Sequence, residues 1–318
     1  MLASAAMRAT VALGFGLLVS TLVACGPAGR DNGGGDDTGG GPDGGGGGSG
    51  SGGDNCSDAA KLVYVVDSNN QLSQFDPTTK TFKDLGALTC SAGTGYTPFS
   101  MGVDRNSNAY VLYVNADPLT GAPIGSKLFR VDTQTTGLPC TATSFQPLSS
   151  MLGFGMGFST DTMGGSTDKL YVAGSNTAAT TSTSQLATID TTTFQITTIP
   201  GGTIQGSPEL TGNANAELWA FFPDANNPKI QGVNKMTGAA ITPAPLPQQL
   251  KGEPAAWAFA FYGGDYWIFL AKQNVLTGAD PTIVYQVSPQ GQLKGMTPTT
   301  NRRIVGAGVS TCAPTVIL

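Results

Sequence analysis

An all-β fold built from a repeated unit is predicted for most of this 318-residue chain, and three observations predict it. Short segments of apolar and aromatic residues recur at close spacing, with turn residues between them. The same region lacks the 3.6-residue period of an amphipathic helix. The segments also fall into three families that follow one another in a fixed order, which is typical of a repeat.

Each of the three families has five members. Members of the first family are rich in small residues in most copies and lie at 99–104, 153–158, 207–212, 257–261 and 304–309. Members of the second family contain aromatic residues and lie at 62–66, 109–114, 169–173, 217–222 and 265–270. Members of the third family end at a turn and lie at 72–76, 128–132, 186–190, 230–234 and 282–287. A Thr- or Pro-rich fourth strand is expected to complete each unit.

Four-stranded units of about 40–50 residues are typical of β-propeller blades. The repeats begin with a second-family strand at 62–66 and end with an extra first-family strand at 304–309. A ring of blades is closed when the last strand completes the first blade, because no sheet edge is then left open there. We therefore predict a five-bladed β-propeller over 54–318, with six or seven blades as the alternative if a strand has been divided wrongly. The small first-family residues suit crowded innermost strands around a central channel, and the aromatic residues should pack between blades.

The cysteines test this closure. Cys312 follows the closing strand and Cys56 precedes the strand that it should join, so the ring predicts a Cys56–Cys312 disulfide. Cys90 and Cys140 then remain to pair with each other. Free buried thiols are the alternative. An exported protein would meet an oxidising compartment, where disulfides persist.

The first 24 residues have the pattern of a secretory signal peptide, with one basic residue, Arg8, before an apolar run at 12–22. This run is too short and too soon followed by glycine for a stable membrane span. Leu22, Val23, Ala24 and Cys25 resemble the lipobox of bacterial lipoproteins, which implies acylation of the Cys25 sulfur and removal of residues 1–24. An ordinary export signal with a chance cysteine is the alternative. Because Gly26 rather than Asp would follow the lipidated residue, we expect the outer membrane.

The segment after Cys25 is predicted to be a flexible tether. Residues 26–53 hold 16 of the 45 glycines of the chain and have almost no apolar side chains. Such a segment cannot bury enough surface to offset the entropy of ordering it. Residues 25–53 are therefore expected to hold the domain away from a bilayer.

The composition excludes several classes of function. The chain has no histidine, which excludes Ser-His-Asp and Cys-His catalysis and the H-E-x-x-H zinc site. Lys and Arg total 16 against 21 Asp and Glu, so nucleic acid is not an expected partner. No phosphate-binding loop motif occurs, and no cofactor is expected.

One segment has the spacing of a metal-binding loop. Asp104, Asn106 and Asn108 match the first three oxygen ligands of a calcium loop, but the glycine and the distant glutamate of that loop are missing. The favoured interpretation is that Asp104 caps a tight turn between two strands. The same turn role is predicted for aspartates that recur at one place in the repeat, namely Asp76, Asp132 and Asp190.

Hydrolysis by paired carboxylates is the enzymatic alternative, because glycosidases use an acid and a base or nucleophile of this kind. The chain has three glutamates, of which Glu209 lies on a predicted innermost strand and Glu253 just before another. Glu209 with Asp104 or with Glu253 is the pair to test. Four aromatic residues near the mouth of the ring could stack on sugars, although packing between blades is favoured for them: Trp257, Tyr262, Tyr266 and Trp267.

Five stretches carry a resemblance to a known group: 97–104, 208–212, 217–223, 256–261 and 302–314. They resemble lipoproteins common in myxobacteria, a group without an assigned activity, and the similarity covers nearly all of the region after the tether. The repeat Asp-Pro-x-Thr at 76–79 is also similar to that of other propellers. These resemblances imply a location in the cell envelope and a fold, but they imply no reaction.

The sequence thus predicts an exported, lipid-anchored, disulfide-bonded propeller that acts as a non-catalytic binding or scaffold module. A membrane contact through the N-terminal lipid, an unknown protein or glycan ligand and a monomeric state are expected. A carbohydrate-active hydrolase with carboxylates in the central funnel is the alternative.

Overall fold

The computed structural model describes residues 56–177 and 182–316. Within these ranges the chain forms β-strands and two single-turn 3-10 helices, Asp58–Lys61 and Gln248–Leu250. No helix of the described ranges has the length and apolar character needed to cross a bilayer. The predicted signal peptide at 1–24, Cys25 and the Gly-rich segment up to residue 53 lie outside the described residues.

The strands are numbered in chain order. The first three are β1 (Val63–Asp67), β2 (Gln71–Asp76) and β3 (Thr81–Ala87). The next four are β4 (Tyr96–Val103), β5 (Asn108–Ala116), β6 (Pro123–Asp132) and β7 (Cys140–Ala142). They are followed by β8 (Gly153–Thr160), β9 (Asp168–Ser175), β10 (Thr183–Ile189) and β11 (Ile196–Gln205). The next group is β12 (Glu209–Gly212), β13 (Leu218–Phe222), β14 (Lys229–Val233) and β15 (Ala240–Pro245). The last six are β16 (Pro254–Tyr262), β17 (Asp265–Asn274), β18 (Gly278–Ala279), β19 (Ile283–Val287), β20 (Leu293–Pro298) and β21 (Ile304–Val309).

Five antiparallel sheets with the same internal order form a five-bladed β-propeller, so the predicted fold and blade number are confirmed. The sheets are β21-β1-β2-β3, β4-β5-β6-β7, β8-β9-β10-β11, β12-β13-β14-β15 and β16-β17-β19-β20. β21 pairs with β1, with Val63 opposite Val309, and this pairing completes the first blade as predicted. The short β18 extends the end of β17 and was not foreseen.

The strand bounds differ from the prediction in the fourth blade. β12 begins at Glu209 rather than at residue 207. The physical reason is Pro208, which has no N–H to donate to a ladder. β13 likewise begins one residue after the predicted Glu217.

The core lies between neighbouring blades, where aromatic side chains pack against one another as predicted. Phe75 of the first blade lies 5.3 Å from Trp267 of the fifth, measured between ring centroids. Tyr110 and Phe158 join the second and third blades at 5.6 Å, and all four rings are buried. Burying one large apolar side chain contributes about 1.5–3 kcal/mol, so these contacts hold the ring of blades together.

Two disulfides staple the ring, and both predicted pairings are confirmed. Cys56 is bonded to Cys312, at a sequence separation of 256. Cys90 is bonded to Cys140, at the start of β7. The first disulfide joins the segment before β1 to the segment after β21, so it fixes the strand that closes the propeller.

The recurring aspartates act as turn caps. The Asp132 carboxylate accepts hydrogen bonds from the backbone N–H groups of Gln134 and Thr135 and from the Thr135 hydroxyl. Those hydrogen bonds, the hydroxyl bond first, lower the pKa of Asp132. Asp76 and Asp190 accept the same pair of backbone bonds from the second and third residues after them. The structure therefore gives these aspartates the turn role that the sequence predicted.

Candidate functional site

The five innermost strands, β21, β4, β8, β12 and β16, run in the same direction along the central channel. A Cβ atom on Gly155 of β8 would meet Pro208 and Glu209 at the start of β12, while one on Gly157 would meet Leu210 and Thr211 further along. We call the end where these strands begin the upper end of the channel and the end where they finish the lower end.

A cavity of about 100 Å³ opens at the upper end and is called here the upper cavity. All five innermost strands, or the residues just before them, contribute to its lining. The lining residues are Pro98, Phe99, Phe154, Gly155, Ser207, Pro208, Glu209, Ala255, Ala256, Trp257 and Val305. Glu209 is the one residue of this set with an ionisable side chain, and the rest of the wall is mainly apolar.

Glu209 is buried, with 2% of its surface exposed, and its carboxyl lies between three blades. Its Oε2 accepts a hydrogen bond from the Ser100 hydroxyl on β4 at 3.0 Å and a longer one from the Met156 N–H on β8 at 3.4 Å. The Ser100 oxygen also accepts from the same Met156 N–H at 3.1 Å. The acid is thus held by neutral groups from the second and third blades.

Burial raises the pKa of Glu209 well above the usual glutamate value, and the hydrogen bonds from Ser100, Met156 and Leu210 offset this only in part. The described residues place no lysine or arginine in an ion pair with it. Gly155 makes the arrangement possible, because a Cβ there would clash with the Pro208 carbonyl oxygen and lie 3.0 Å from Glu209 Oε2. A buried acid without a counter-ion is costly when ionised, so the protonated form is favoured.

The structure does not bring the predicted carboxylate pairs together in this cavity. Asp104 directly follows β4 and therefore lies at the lower end of the channel, while Glu209 begins β12 at the upper end. Glu253 precedes β16 at the upper end, but its side chain is exposed and is not part of the cavity lining. Glu217, the remaining glutamate, accepts a hydrogen bond from Asn213 in the turn after β12.

The segment with calcium-loop spacing forms a tight turn between β4 and β5. The Asp104 carboxylate accepts hydrogen bonds from the backbone N–H groups of Asn106 and Asn108, both at 2.9 Å. It also accepts bonds from the Asn108 amide and from the Tyr110 hydroxyl. Within the described residues no group of three or more Asp, Glu or Cys side chains is arranged to hold a metal ion. The geometry assigns Asp104 to the turn.

The lower end of the channel has a polar cluster that links three blades. The Arg105 guanidinium donates to Asp168 Oδ2 at 2.9 Å and to the Gly165 carbonyl at 2.8 Å. The Thr311 hydroxyl donates to the same Asp168 oxygen at 2.6 Å. The Arg105 and Asp168 side chains are 10% and 9% exposed. This ion pair joins the second and third blades to the segment that closes the first.

The candidate sugar-stacking aromatics have different environments. Tyr266 and Trp267 are buried in the core, with 4% and 1% of their surface exposed, as the packing interpretation predicted. Trp257 is half-buried and lines the upper cavity, whereas Tyr262 ends β16 near the lower end. Of the four, Trp257 alone belongs to the upper cavity.

Sequence reasoning missed most of the upper cavity. Phe99, Phe154 and Val305 lie on first-family strands, but they were interpreted only as strand residues of the repeat. Their shared position near the beginning of first-family strands was the sequence signal that could have identified them as residues lining one end of the channel.

A larger groove of about 390 Å³ lies on the outer part of the third blade. It forms where the pairing of β10 with β11 is interrupted between Gln185 and Ala187. The Gln185 amide donates to the Ile199 carbonyl across this irregularity at 2.9 Å. Its lining consists of hydroxyl, amide, apolar and backbone groups, and none of the lining residues is charged.

Comparison with known proteins finds no matching family model and no matching curated protein. Among solved structures, a chain of a nidogen–laminin complex is similar with a TM-score of 0.45 and 11% identity, over 80% of this chain and 99% of that one. An exo-β-1,3-galactanase from Clostridium thermocellum is similar with a TM-score of 0.45 and 10% identity, over 76% of this chain and 53% of that one. An exo-β-1,3-galactanase from Phanerochaete chrysosporium is similar with a TM-score of 0.47 and 9% identity, over 74% and 54%.

This chain spans about half the length of the two galactanase chains. The identities are 11% or lower and the TM-scores are below 0.5, so these likenesses carry no argument about activity.

Proposed function

We propose that the domain at 54–318 is a non-catalytic binding module of the cell envelope and that the upper cavity is its recognition site. The observation that carries the proposal is the make-up of this cavity. Half-buried aromatic side chains from different blades, Phe99 and Trp257, surround a small opening that has one buried carboxyl. Concave apolar sites with few polar groups are the usual form of binding sites.

The alternative, a carbohydrate-active hydrolase, has one supporting observation. The raised pKa of Glu209 is the property that a general acid needs near neutral pH. Glycosidases, however, require a second carboxyl at roughly 5–10 Å from the first. Glu253 is exposed outside the cavity lining and Asp104 lies at the other end of the channel, so the described residues favour binding over hydrolysis.

We further propose that the protein is exported and lipid-anchored through Cys25, with residues 26–53 as its tether, at the outer membrane. The two disulfides support export, because such bonds persist in oxidising compartments. Cys56 is bonded to Cys312, which follows the lower end of β21. Cys56 therefore lies near the lower end of the channel, away from the upper cavity.

The experiment uses residues 54–318, which include all five blades and both disulfides. The protein is applied to arrays of glycans and peptides beside Trp257→Ala and a matched control, Met236→Ala, whose side chain is exposed away from the upper cavity. We expect Trp257→Ala to weaken binding at least tenfold and Met236→Ala to leave it unchanged, with both variants folded by circular dichroism.

Two results would contradict the proposal. Binding that neither variant changes would place recognition outside the upper cavity. Release of sugar from an array glycan that is lost in Glu209→Gln would favour the hydrolase instead.

A further inference from the structure

The upper cavity contains an acid that lacks a counter-ion. Glu209 is 2% exposed, and its hydrogen-bond partners, the Ser100 hydroxyl and the backbone N–H groups of Met156 and Leu210, are neutral donors. The lysine and arginine ion pairs of the described residues all involve aspartates: Asp58, Asp84, Asp161, Asp168 and Asp265. A buried carboxylate is normally paired, so a cation that entered this cavity would complete the site.

The walls of the cavity suit a cation of a particular kind. Phe99, Phe154 and Trp257 contribute aromatic rings to the lining, and no lysine or arginine lines it. Organic ammonium groups are attracted to the faces of aromatic rings, most strongly to tryptophan. Inorganic cations would need several oxygen ligands, whereas this lining offers one carboxyl and few other side-chain oxygens.

The size of the cavity limits the ligand to one small group. Its volume is about 100 Å³, whereas sites for drug-sized ligands are roughly 300–1,000 Å³. A cavity of about 150 Å³ is known to hold benzene. The upper cavity is therefore of the size of one head group, and the remainder of a larger ligand would lie outside it.

We propose that the upper cavity binds an organic ammonium head group, with Glu209 as its counter-ion and Phe99, Phe154 and Trp257 as its walls. This inference rests on the proposed function and specifies the ligand chemistry of the same site. The head group belongs either to a small free amine or to the end of a lysine side chain, and the experiment below separates these sources.

A bound ammonium group would stabilise the ionised form of Glu209. Burial raises the pKa of this acid in the free protein, so the acid must lose its proton when the cation binds. Binding therefore releases a proton and becomes stronger as the pH rises towards the raised pKa. A neutral ligand of the same shape would show no such pH dependence.

The experiment compares two ammonium compounds with neutral compounds of matched shape. Choline is paired with 3,3-dimethylbutan-1-ol, and butylammonium with butan-1-ol. Each is titrated into the 54–318 domain by calorimetry and by NMR at pH 5, 6, 7 and 8. We expect at least one ammonium compound to bind at least tenfold more tightly than its neutral partner at pH 8, and its affinity to fall at least threefold at pH 5.

Variants test the assigned residues. Glu209→Gln keeps an acceptor for Ser100 and Met156 but cannot ionise, so we expect it to lose at least tenfold in ammonium affinity and to retain the neutral compounds. Trp257→Ala should weaken ammonium binding at least threefold, and Glu253→Gln, which removes an exposed carboxylate outside the lining, should not change it. If Glu209→Gln does not fold, the pH dependence of the unmodified domain remains a test.

A lysine probe that is acetylated on Nα, carries a C-terminal methylamide and keeps a free side-chain ammonium distinguishes the two sources of the ammonium group. Binding at least tenfold tighter than that of butylammonium indicates a lysine side chain, and weaker binding indicates a free amine. Equal binding of ammonium and neutral compounds, or affinity that does not change with pH, overturns the inference. If Trp257→Ala abolishes array binding but ammonium compounds do not compete for it, the proposed function stands and the ammonium inference is wrong.

Discussion

The two ends of the central channel are built with different chemistry. At the lower end, Arg105, Asp168 and Thr311 form a buried polar cluster from three blades. At the upper end, aromatic and small residues surround a cavity of about 100 Å³ with one buried acid, Glu209. The lower end is cross-linked by side chains, whereas the upper end has an opening that side chains leave unfilled.

This difference separates stability from recognition. The first and last strands of the described chain, β1 and β21, pair in one blade. At the lower end, the Cys56–Cys312 disulfide joins the segment before β1 to the segment after β21. Thr311, which precedes Cys312, meets Asp168 at the same end. The closing strand also reaches the upper end, where Asp67 lies opposite Ile304 and Val305 lines the upper cavity.

The largest effect is expected from removal of the closing disulfide. Replacement of both Cys56 and Cys312 by serine should reduce the free energy of unfolding by about 5 kcal/mol, because a bond across 256 residues strongly restricts the unfolded chain. The matched control replaces Cys90 and Cys140, whose loop of 50 residues should cost about 4 kcal/mol. Denaturant unfolding of both variants measures the difference. A smaller loss for the Cys56–Cys312 variant would contradict the larger contribution expected from the longer loop.

Asp168→Ala tests the polar cluster of the same end. It leaves the Arg105 guanidinium buried without its partner, and breaking a buried pair in this way costs about 3–5 kcal/mol. Replacing the pair together, with Arg105→Met and Asp168→Leu, should cost less because no charge is left unpaired. Thermal and denaturant unfolding provide the comparison, and Asp58→Ala, at an exposed ion pair, is the control that should show no change. A loss for Asp168→Ala no greater than that for the double variant would show that the ion pair does not secure the lower end.

The sequence predicted the closure of the ring because the signals for it are local and repeated. The strand families at 62–66 and 304–309 identify the first and last strands of the repeats along the chain as neighbours in one blade. From this order the Cys56–Cys312 pairing followed, although the cysteines are far apart in sequence. The repeated aspartates were assigned to turns for the same reason. Each such prediction needs only a short segment and its place in the repeat.

The polar cluster of the lower end could not be predicted in this way. Arg105 and Asp168 are 63 residues apart, and Thr311 is a further 143 residues along the chain. Their contact depends on the turns that contain Arg105 and Thr311 and on the start of β9 at Asp168, and no periodic pattern specifies how these three meet. In the segment with calcium-loop spacing, the sequence pattern drew attention to Asp104 as a turn cap, but it did not indicate an ion pair for the neighbouring Arg105.

The upper cavity was predicted only in part. Glu209 was recognised as a carboxyl on an innermost strand, and Trp257 as an aromatic near a mouth of the ring. The burial of Glu209 without a counter-ion depends on Gly155 of the neighbouring blade, because any side chain at position 155 would displace Glu209. In the sequence, Phe99 and Phe154 look like any other strand residues, because whether they line a cavity depends on how adjacent blades meet.

The smallest effect, and the one that tests the upper end, is the pH dependence of stability. The folded domain raises the pKa of Glu209, so the folded state holds this proton more tightly than the unfolded state does. The resulting stabilisation is present in full below the usual glutamate pKa of about 4.3 and is lost as the pH rises through the raised folded-state pKa. Within that window the free energy of unfolding should fall by up to about 1.4 kcal/mol per pH unit.

Glu209→Gln isolates this contribution, because glutamine occupies the same space and does not titrate. The stability of the unmodified domain relative to Glu209→Gln should therefore decline from pH 4 towards pH 8, as measured by denaturant unfolding at each pH. Glu253→Gln, which removes an exposed carboxyl outside the cavity lining, is the matched control. A constant difference between the unmodified domain and Glu209→Gln would mean that the acid is hydrated and ionised in the folded state. The upper end would then lack the unpaired buried acid that distinguishes it from the lower end, where Asp168 has its arginine.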